Sequence, residues 1–354
     1  MAYDFFPKSQ TEIVNTLNKA KFSGDAILEI TNLYNTLKSY KLDTPINLDL
    51  KEKKKCNVSR QLSSKTTIAS LKQKVGLKTV TIKFGNGSSG NRGSNNKGNA
   101  FEEDYMQALF KWWAGDTDID AKVLTSIEDL DKTYNLRSLP TFTVTAEGAA
   151  NTRRPLDFSG GNITITNPGS GKNVGSAVTD LTINKDKNPI YLSLKSGGTT
   201  TFFNVGVRTI LTPEEIKSQV IKNKDGLKLL KLFGIDTELF CKVFNGQMTI
   251  GKVDRSPSIN RGGIKELLET GIGYGYHVIH EFPGKVISKR MNEAAMRRAA
   301  NVTGTTIYYG GKTGTGKRID MEMTSDTYIF KLNIRDTQGY DGYPTRMMCD
   351  FTYK

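Results

Sequence analysis

The chain reads as an α+β protein with an α/β core, and three observations lead there. Residues 9–41 and 99–134 show helical apolar spacing. Residues 139–195 change to short Thr/Val/Ile runs broken by Gly, Asn and Pro, the texture of strands. Helical patterns return at 212–270, and alternating runs then fill the C-terminal end. The expected arrangement is a helical N-terminal region, an α/β core and an antiparallel β C-terminal extension.

In chain order, Ser9 and Glu12 have capping-box spacing before a first helix, and Ile30, Leu33 and Leu37 give a second its stripe. Residues 60–75 predict a third, basic helix ending near Gly76, followed by the strand KTVTIKF. GNGSSGNRGSNNKGN, residues 85–99, has too few apolar side chains to pack and reads as a linker or mobile loop. These features divide the chain into a basic, mainly helical region at 1–84, a linker at 85–99, a core at 100–250 and a helical plus β-meander region at 251–354. Beyond the linker, NAFEEDYMQALFKWW places Phe101, Tyr105, Leu109 and Trp112 on one helical stripe. A further helix is expected at 124–134, then the β runs TFTVTA, NITIT, AVTDLTI and IYLSLK. Thr212, Pro213 and Glu215 signal a helix start, and DGLKLLKLFG, TELFCKVFN and residues 260–270 continue the helices. A basic helix at 289–300 would carry Lys289, Arg290, Arg297 and Arg298.

The chain has 354 residues, with 50 Lys+Arg against 36 Asp+Glu and a net charge of +14. That length allows two cores, and that charge points to a polyanionic partner, DNA first, with RNA as the alternative. The excess is concentrated: residues 51–99 hold twelve Lys or Arg, among them Lys53, Lys54, Lys55, Arg60 and Arg92, against the single acid Glu52. Contact with phosphates is the sharper reading of that cluster, a solvated surface the plainer one. No apolar run approaches the ~20 residues of a membrane span, and MAYDFFPKSQ lacks a basic head followed by an apolar stretch. Three scattered cysteines without a CxxC pair suit reduced thiols, so a bacterial or phage-infected cytoplasm is the expected setting. The histidines His277 and His280, two residues of a β-like run, are expected on opposite faces as ordinary strand side chains.

The chemistry concentrates in GSAVTDLTINKDKNPIYLSLKSG, residues 175–197. Asp180 borders one short β run and Lys195 ends another. Alternation puts Tyr191, Ser193 and Lys195 on one face of the second run, with Ile190, Leu192 and Leu194 on the other. An acid that binds a divalent metal beside a cation suits phosphodiester hydrolysis, in which charge must be neutralised and a hydroxide generated. Glu102 and Glu103, in the first turn of the 99–113 helix, offer a third group. Glu102 is favoured because it directly follows the anchoring Phe101.

The FEE helix, the acid at a strand end and the hydrophobic strand ending in SLK resemble the PD-(D/E)XK nuclease superfamily over roughly residues 98–250. The resemblance implies a restriction-endonuclease-like αβββαβ core with a mixed sheet and cleavage of DNA with Mg²⁺ or Mn²⁺. It also implies Asp180 as the first acid, Lys195 as the lysine, and Glu102 or Glu103 as the helix glutamate and metal ligand. Thr179 stands where the name-giving proline would be, and Ser193 occupies the second acidic position. That serine either weakens one metal ligand or marks a fold kept for binding after catalysis was lost. Double-strand cutting by one site per chain usually favours a homodimer. After the lysine, Thr199, Thr200, Thr201 and Asn204 suit contact with a DNA backbone or, equally, a turn and the next strand. Arg297 and Arg298 on the basic helix suit a groove, or an exposed helix face. GGKTGTGKR, residues 310–318, imitates a phosphate-binding loop, but Arg318 replaces the hydroxyl residue and a strand pattern follows; a hairpin loop is expected.

Overall fold

The computed structural model describes the chain except residues 1, 6–8, 20, 29, 33–45, 51–54, 61–67, 76–77, 86–96, 115–118, 140, 147–153, 170, 185–187, 199, 249, 283, 313 and 315; over 46–100 only the backbone is described. The architecture is α+β, with helices and mixed sheets. The chain divides into two compact units, each assembled from separate stretches of sequence. Unit one comprises 1–150, 178–197 and 276–290, and unit two comprises 151–177, 198–275 and 291–354. The sequence-derived border at 250 therefore falls inside unit two. The expected 100–250 core is shared between the units.

Unit one holds the larger sheet. Its path runs β14 (Lys285–Met291), β13 (Tyr276–Phe282), β10 (Ile190–Ser196), β9 (Leu181–Asn184), β6 (Thr141–Ala146), β3 (Lys55–Arg60), β5 (Lys78–Gly85), β4 (Ile68–Val75) and β2 (Ile46–Leu50), with β1 (Ala2–Phe5) beside β5. Strands β6, β9 and β10 form an antiparallel meander, and β13 then joins β10 in parallel. Helices α1 (Gln10–Lys19), α2 (Lys97–Ala114) and α3 (Ala121–Tyr134) belong to this unit. Residues 24–28 and 30–32 are also helical. The Ser9 side of the expected capping box forms, with Glu12 N–H donating to Ser9 Oγ at 3.2 Å.

Helix α2 packs as its stripe dictates. Phe101, Tyr105, Met106, Leu109 and Trp112 are buried against Phe142, Val144, Leu181, Ile183, Leu192, Leu194 and Ile279 of the sheet. The Tyr105 hydroxyl lies 3.0 Å from Ser126 Oγ, which ties α2 to α3, and the Arg137 guanidinium stacks 4.4 Å from the Trp112 ring. Asp120 caps α3 by accepting from Lys122 N–H at 2.9 Å.

Among the described residues the N-terminal region is not mainly helical; positions 33–41 of the expected second helix and 61–67 of the third lie outside them. Residues 68–75, expected to be helix, form β4, antiparallel to β5 and parallel to β2. Ile68, Leu71 and Val75 do fit helical spacing, but sheet partners on both sides satisfy the backbone and override that local preference. The linker expected at 85–99 falls mostly outside the described residues, and its last three residues start α2.

Unit two contains a six-stranded antiparallel sheet in the order β11 (Thr200–Gly206), β18 (Arg346–Tyr353), β17 (Tyr328–Arg335), β16 (Arg318–Ser325), β15 (Val302–Tyr309) and β12 (Lys252–Asp254). It also contains the ribbon of β7 (Leu156–Asp157) and β8 (Thr164–Ile165). Its helices are α4 (Gly175–Val178), α5 (Pro213–Lys217), α6 (Lys224–Phe233), α7 (Thr237–Phe244), α8 (Arg261–Ile272) and α9 (Glu293–Ala299). Alternation is clean: Ile319, Met321 and Met323 of β16, Phe330, Leu332 and Ile334 of β17, and Met347, Cys349 and Phe351 of β18 are buried. Their sequence neighbours form a second face, mostly half-buried and largely polar, in which Ile329, Met348 and the buried Asn333 sit among charged side chains.

The expected helix at 289–300 divides. Asn292 accepts from Ala295 N–H at 2.8 Å and starts α9, which leaves Lys289 and Arg290 on β14. The four cations therefore share no helix. Strands β15 and β16 pair as an antiparallel hairpin, a side chain on Gly310 at its bend would strike the Gly314 carbonyl, and strand follows in place of helix.

Candidate functional site

The meander brings Asp180 beside β10. Its backbone N–H donates to the Leu192 carbonyl at 2.8 Å, which fixes the residue at the mouth of β9. Its carboxylate oxygen Oδ2 accepts from Leu194 N–H at 2.7 Å and from Ser193 Oγ at 3.3 Å, and lies 3.9 Å from Lys195 Nζ. Lys195 and Asp180 are 24% and 27% exposed, so the pair is reachable from solvent and still partly desolvated. Burial pushes the Asp180 carboxyl above the usual carboxylate range, opposed by the Lys195 ammonium and by the two hydrogen bonds. Ser193 is only 2% exposed, so it positions the carboxylate from within.

The parallel strand β13 adds a neighbour that the local sequence does not reveal. Lys195 lies in register with His280, which is fully buried. His280 Nε2 sits 2.7 Å from the Gly197 carbonyl, so a neutral ring carries its proton on Nε2 and donates there. Burial, with the Lys195 charge, lowers the His280 pKa against that bond. Next along, Ser196 Oγ donates to Glu281 at 2.7 Å.

The two histidines occupy opposite faces of β13, as alternation requires. His277 pairs in register with Leu192, on the face covered by α2. There its ring lies 2.9 Å from Ser288 Oγ and 3.5 Å from the Tyr134 hydroxyl. Burial, with Arg290 close by, lowers its pKa to about 4.

Asp180, Ser193 and Lys195 thus come together. Glu102 is half-buried on α2 and is not among the carboxylate's partners, while the Glu103 side chain lies outside the described residues. Among the described residues no group of three His, Cys, Asp or Glu gathers to hold a metal ion. Lys53, Lys54, Arg92 and Thr199 lie outside the described residues, and for Lys55 and Arg60 only the backbone in β3 is described. Thr200 and Asn204 lie on β11, the first buried and the second exposed. Arg297 and Arg298 are exposed on α9, and Arg297 is paired with Glu293 at 2.6 Å. Cys241 and Cys349 are free and buried.

No helix among the described residues is long and apolar enough to cross a membrane. Compared with known proteins, the chain matches no family model, no curated protein and no solved structure.

Proposed function

We propose that unit one is a nuclease module that hydrolyses DNA phosphodiester bonds, built on a restriction-endonuclease-like core. The observation that carries this reading is the Asp180–Ser193–Lys195 grouping at the point where a three-strand antiparallel meander meets a parallel fourth strand. The topology supports the same reading, because α2 precedes the meander and covers its apolar face. RNA is the alternative substrate, a dimer the expected form for double-strand cutting, and a bacterial or phage-infected cytoplasm the setting.

The described residues offer Mg²⁺ or Mn²⁺ one carboxylate, Asp180. That is the minimum such ions use in phosphoryl-transfer sites, where water and substrate phosphate complete the shell. A bound ion would neutralise the scissile phosphate and lower the pKa of an attacking water. Asp180 provides the anionic anchor, held in one orientation by Leu194 N–H and Ser193 Oγ. Lys195, 24% exposed on the same face, donates to a phosphate oxygen or orients water, and Leu194 beneath it is locked in the core. Incubating the chain with plasmid DNA in Mg²⁺, Mn²⁺ or EDTA tests this, alongside Lys195→Ala and Asp180→Asn. Metal-dependent cutting by the wild type alone is the expected result. Equal cutting by the variants, or no cutting of any DNA form, sinks the proposal.

A second reading has its own observation. Ser193 stands beside Asp180 where a second acid would complete the pattern, and no three-residue metal group is present among the described residues. A nuclease fold retained for DNA binding alone predicts salt-sensitive binding that needs no metal and survives Lys195→Ala.

A further inference from the structure

We propose that the polar face of the six-stranded sheet is a nucleic-acid contact surface, on which Arg318, Arg335 and Arg346 together grip a phosphate backbone. This deepens the choice of DNA as partner and rests on that part of the proposed function, but not on cleavage. The three arginines are lateral neighbours: Arg318 pairs in register with Arg335 across β16 and β17, and Arg335 with Arg346 across β17 and β18. The row ends at Gly206 of β11, which has no side chain to close it.

Like charges directly opposite one another on adjacent strands destabilise a sheet. The surrounding acids relieve one end of this row and, among the described residues, leave the other two arginines unpaired. Asp320 pairs with Arg318 through two hydrogen bonds of 2.8 and 2.6 Å to one oxygen. Glu322 is held by Lys312 at 3.1 Å, and Asp350 by Thr201 and Asn333. Asp336, next to Arg335 in sequence, accepts from Gln338 and Gly342 N–H in its own turn. Among the described residues, neither Arg335 nor Arg346 has a carboxylate within ion-pair distance. Arg335 Nη2 finds only the Met348 sulfur at 3.7 Å, and its buried Nε has no acceptor among the described residues.

The dimensions suit a polynucleotide. Neighbouring strands lie about 4.8 Å apart, so the row spans roughly 10 Å, and at about 3.4 Å of rise per nucleotide it covers about three phosphates of one strand. Planar guanidinium groups match phosphate oxygens in pairs. Cations continue at the same end of the sheet: Lys317 immediately precedes Arg318, and Arg208, two residues beyond Gly206, stacks 3.8 Å from the Tyr340 ring.

The test measures binding of the full chain to fluorescent duplex and single-stranded DNA in EDTA, across a salt series, so that cleavage does not enter. Arg335→Gln/Arg346→Gln is expected to bind about tenfold or more weakly, with a salt slope lower by about one for each arginine lost. Arg335→Lys, which keeps the charge but loses the fork, is expected to fall between the two. Added DNA is expected to raise the wild-type melting temperature more than that of the double variant. A folded double variant with wild-type affinity and slope overturns the assignment and leaves the nuclease reading untouched. A wild type that binds neither DNA form overturns this surface and the choice of partner together. Binding lost in the double variant, from a wild type that never cuts in Mg²⁺, supports the row and sinks cleavage.

Discussion

In the larger sheet one acid and one lysine face each other 3.9 Å apart, each about a quarter exposed and backed by buried leucines, whereas in the six-stranded sheet three arginines stand side by side on a half-exposed face. The first arrangement is balanced and directional. One carboxylate oxygen takes two hydrogen bonds and an ion pair, so its position is set before any ligand arrives. The second is unbalanced and periodic, with a repeat fixed by strand spacing and one carboxylate, Asp320 on Arg318, against three cations. A fixed single anion suits chemistry at one bond, and a cation row suits a long polyanion that slides over it.

The contrast is broken most severely at Lys195. If the balanced pair is catalytic, Lys195→Ala lowers cleavage about 100-fold or more, measured as initial rates of plasmid nicking. The pH profile separates this from simple damage. Burial already holds the Asp180 carboxyl above its usual range, and the lysine is what draws it back down. Activity that needs the carboxylate ionised is lost as pH falls through that raised value. Lys195→Ala should therefore move the acidic limb of the residual rate to higher pH, and an unmoved limb contradicts the coupling.

The opposite face of β13 supplies a stability test of the same sheet. His277 is buried neutral among Ser288, Tyr134 and Arg290, and its pKa falls to about 4 against an unfolded value near 6.5. Between those values the unfolded chain binds the extra proton, so stability is fully present above about 6.5 and drains away as pH drops toward about 4. The full loss is about 3 kcal/mol. Melting temperatures of wild type and His277→Gln over that window check it: the variant's curve should be the flatter one. Identical slopes would show that this ring does not titrate as its burial requires.

Much of this was legible along the chain, and the remainder was hidden for an identifiable reason. The stripe of Phe101, Tyr105, Leu109 and Trp112 and the alternating runs of β15 to β18 are local patterns, and each sits where its period puts it. Asp180 and Lys195 were readable because a meander joins near neighbours in sequence. His280 was not, since β10 and β13 pair in parallel across some eighty residues and no local period encodes that. Residues 68–75 misled because a helical spacing of apolar side chains coincided with a stretch that the sheet claims from both sides. The arginine row has a local signal: Arg318 and Arg335 are equidistant from the Ser325–Tyr328 turn, so hairpin symmetry alone pairs them.

The smallest expected effect sharpens the comparison from the side of stability. Arg335→Gln removes the middle charge of the row, the one that faces a like charge on both neighbouring strands. Cross-strand pairs of this kind carry roughly 0.2–1 kcal/mol each, and Asp320 already offsets the Arg318 charge, so the relief comes chiefly from the Arg346 pair and should leave the free chain more stable by up to about 1 kcal/mol. Urea unfolding without DNA measures the change. A gain in stability together with weaker DNA binding is what a surface kept for a polyanion predicts, because the repulsion is then retained for the ligand's sake. A clear loss of stability would mean that Arg335 serves the sheet itself, through its packed stem, and that the row's alignment is incidental to binding.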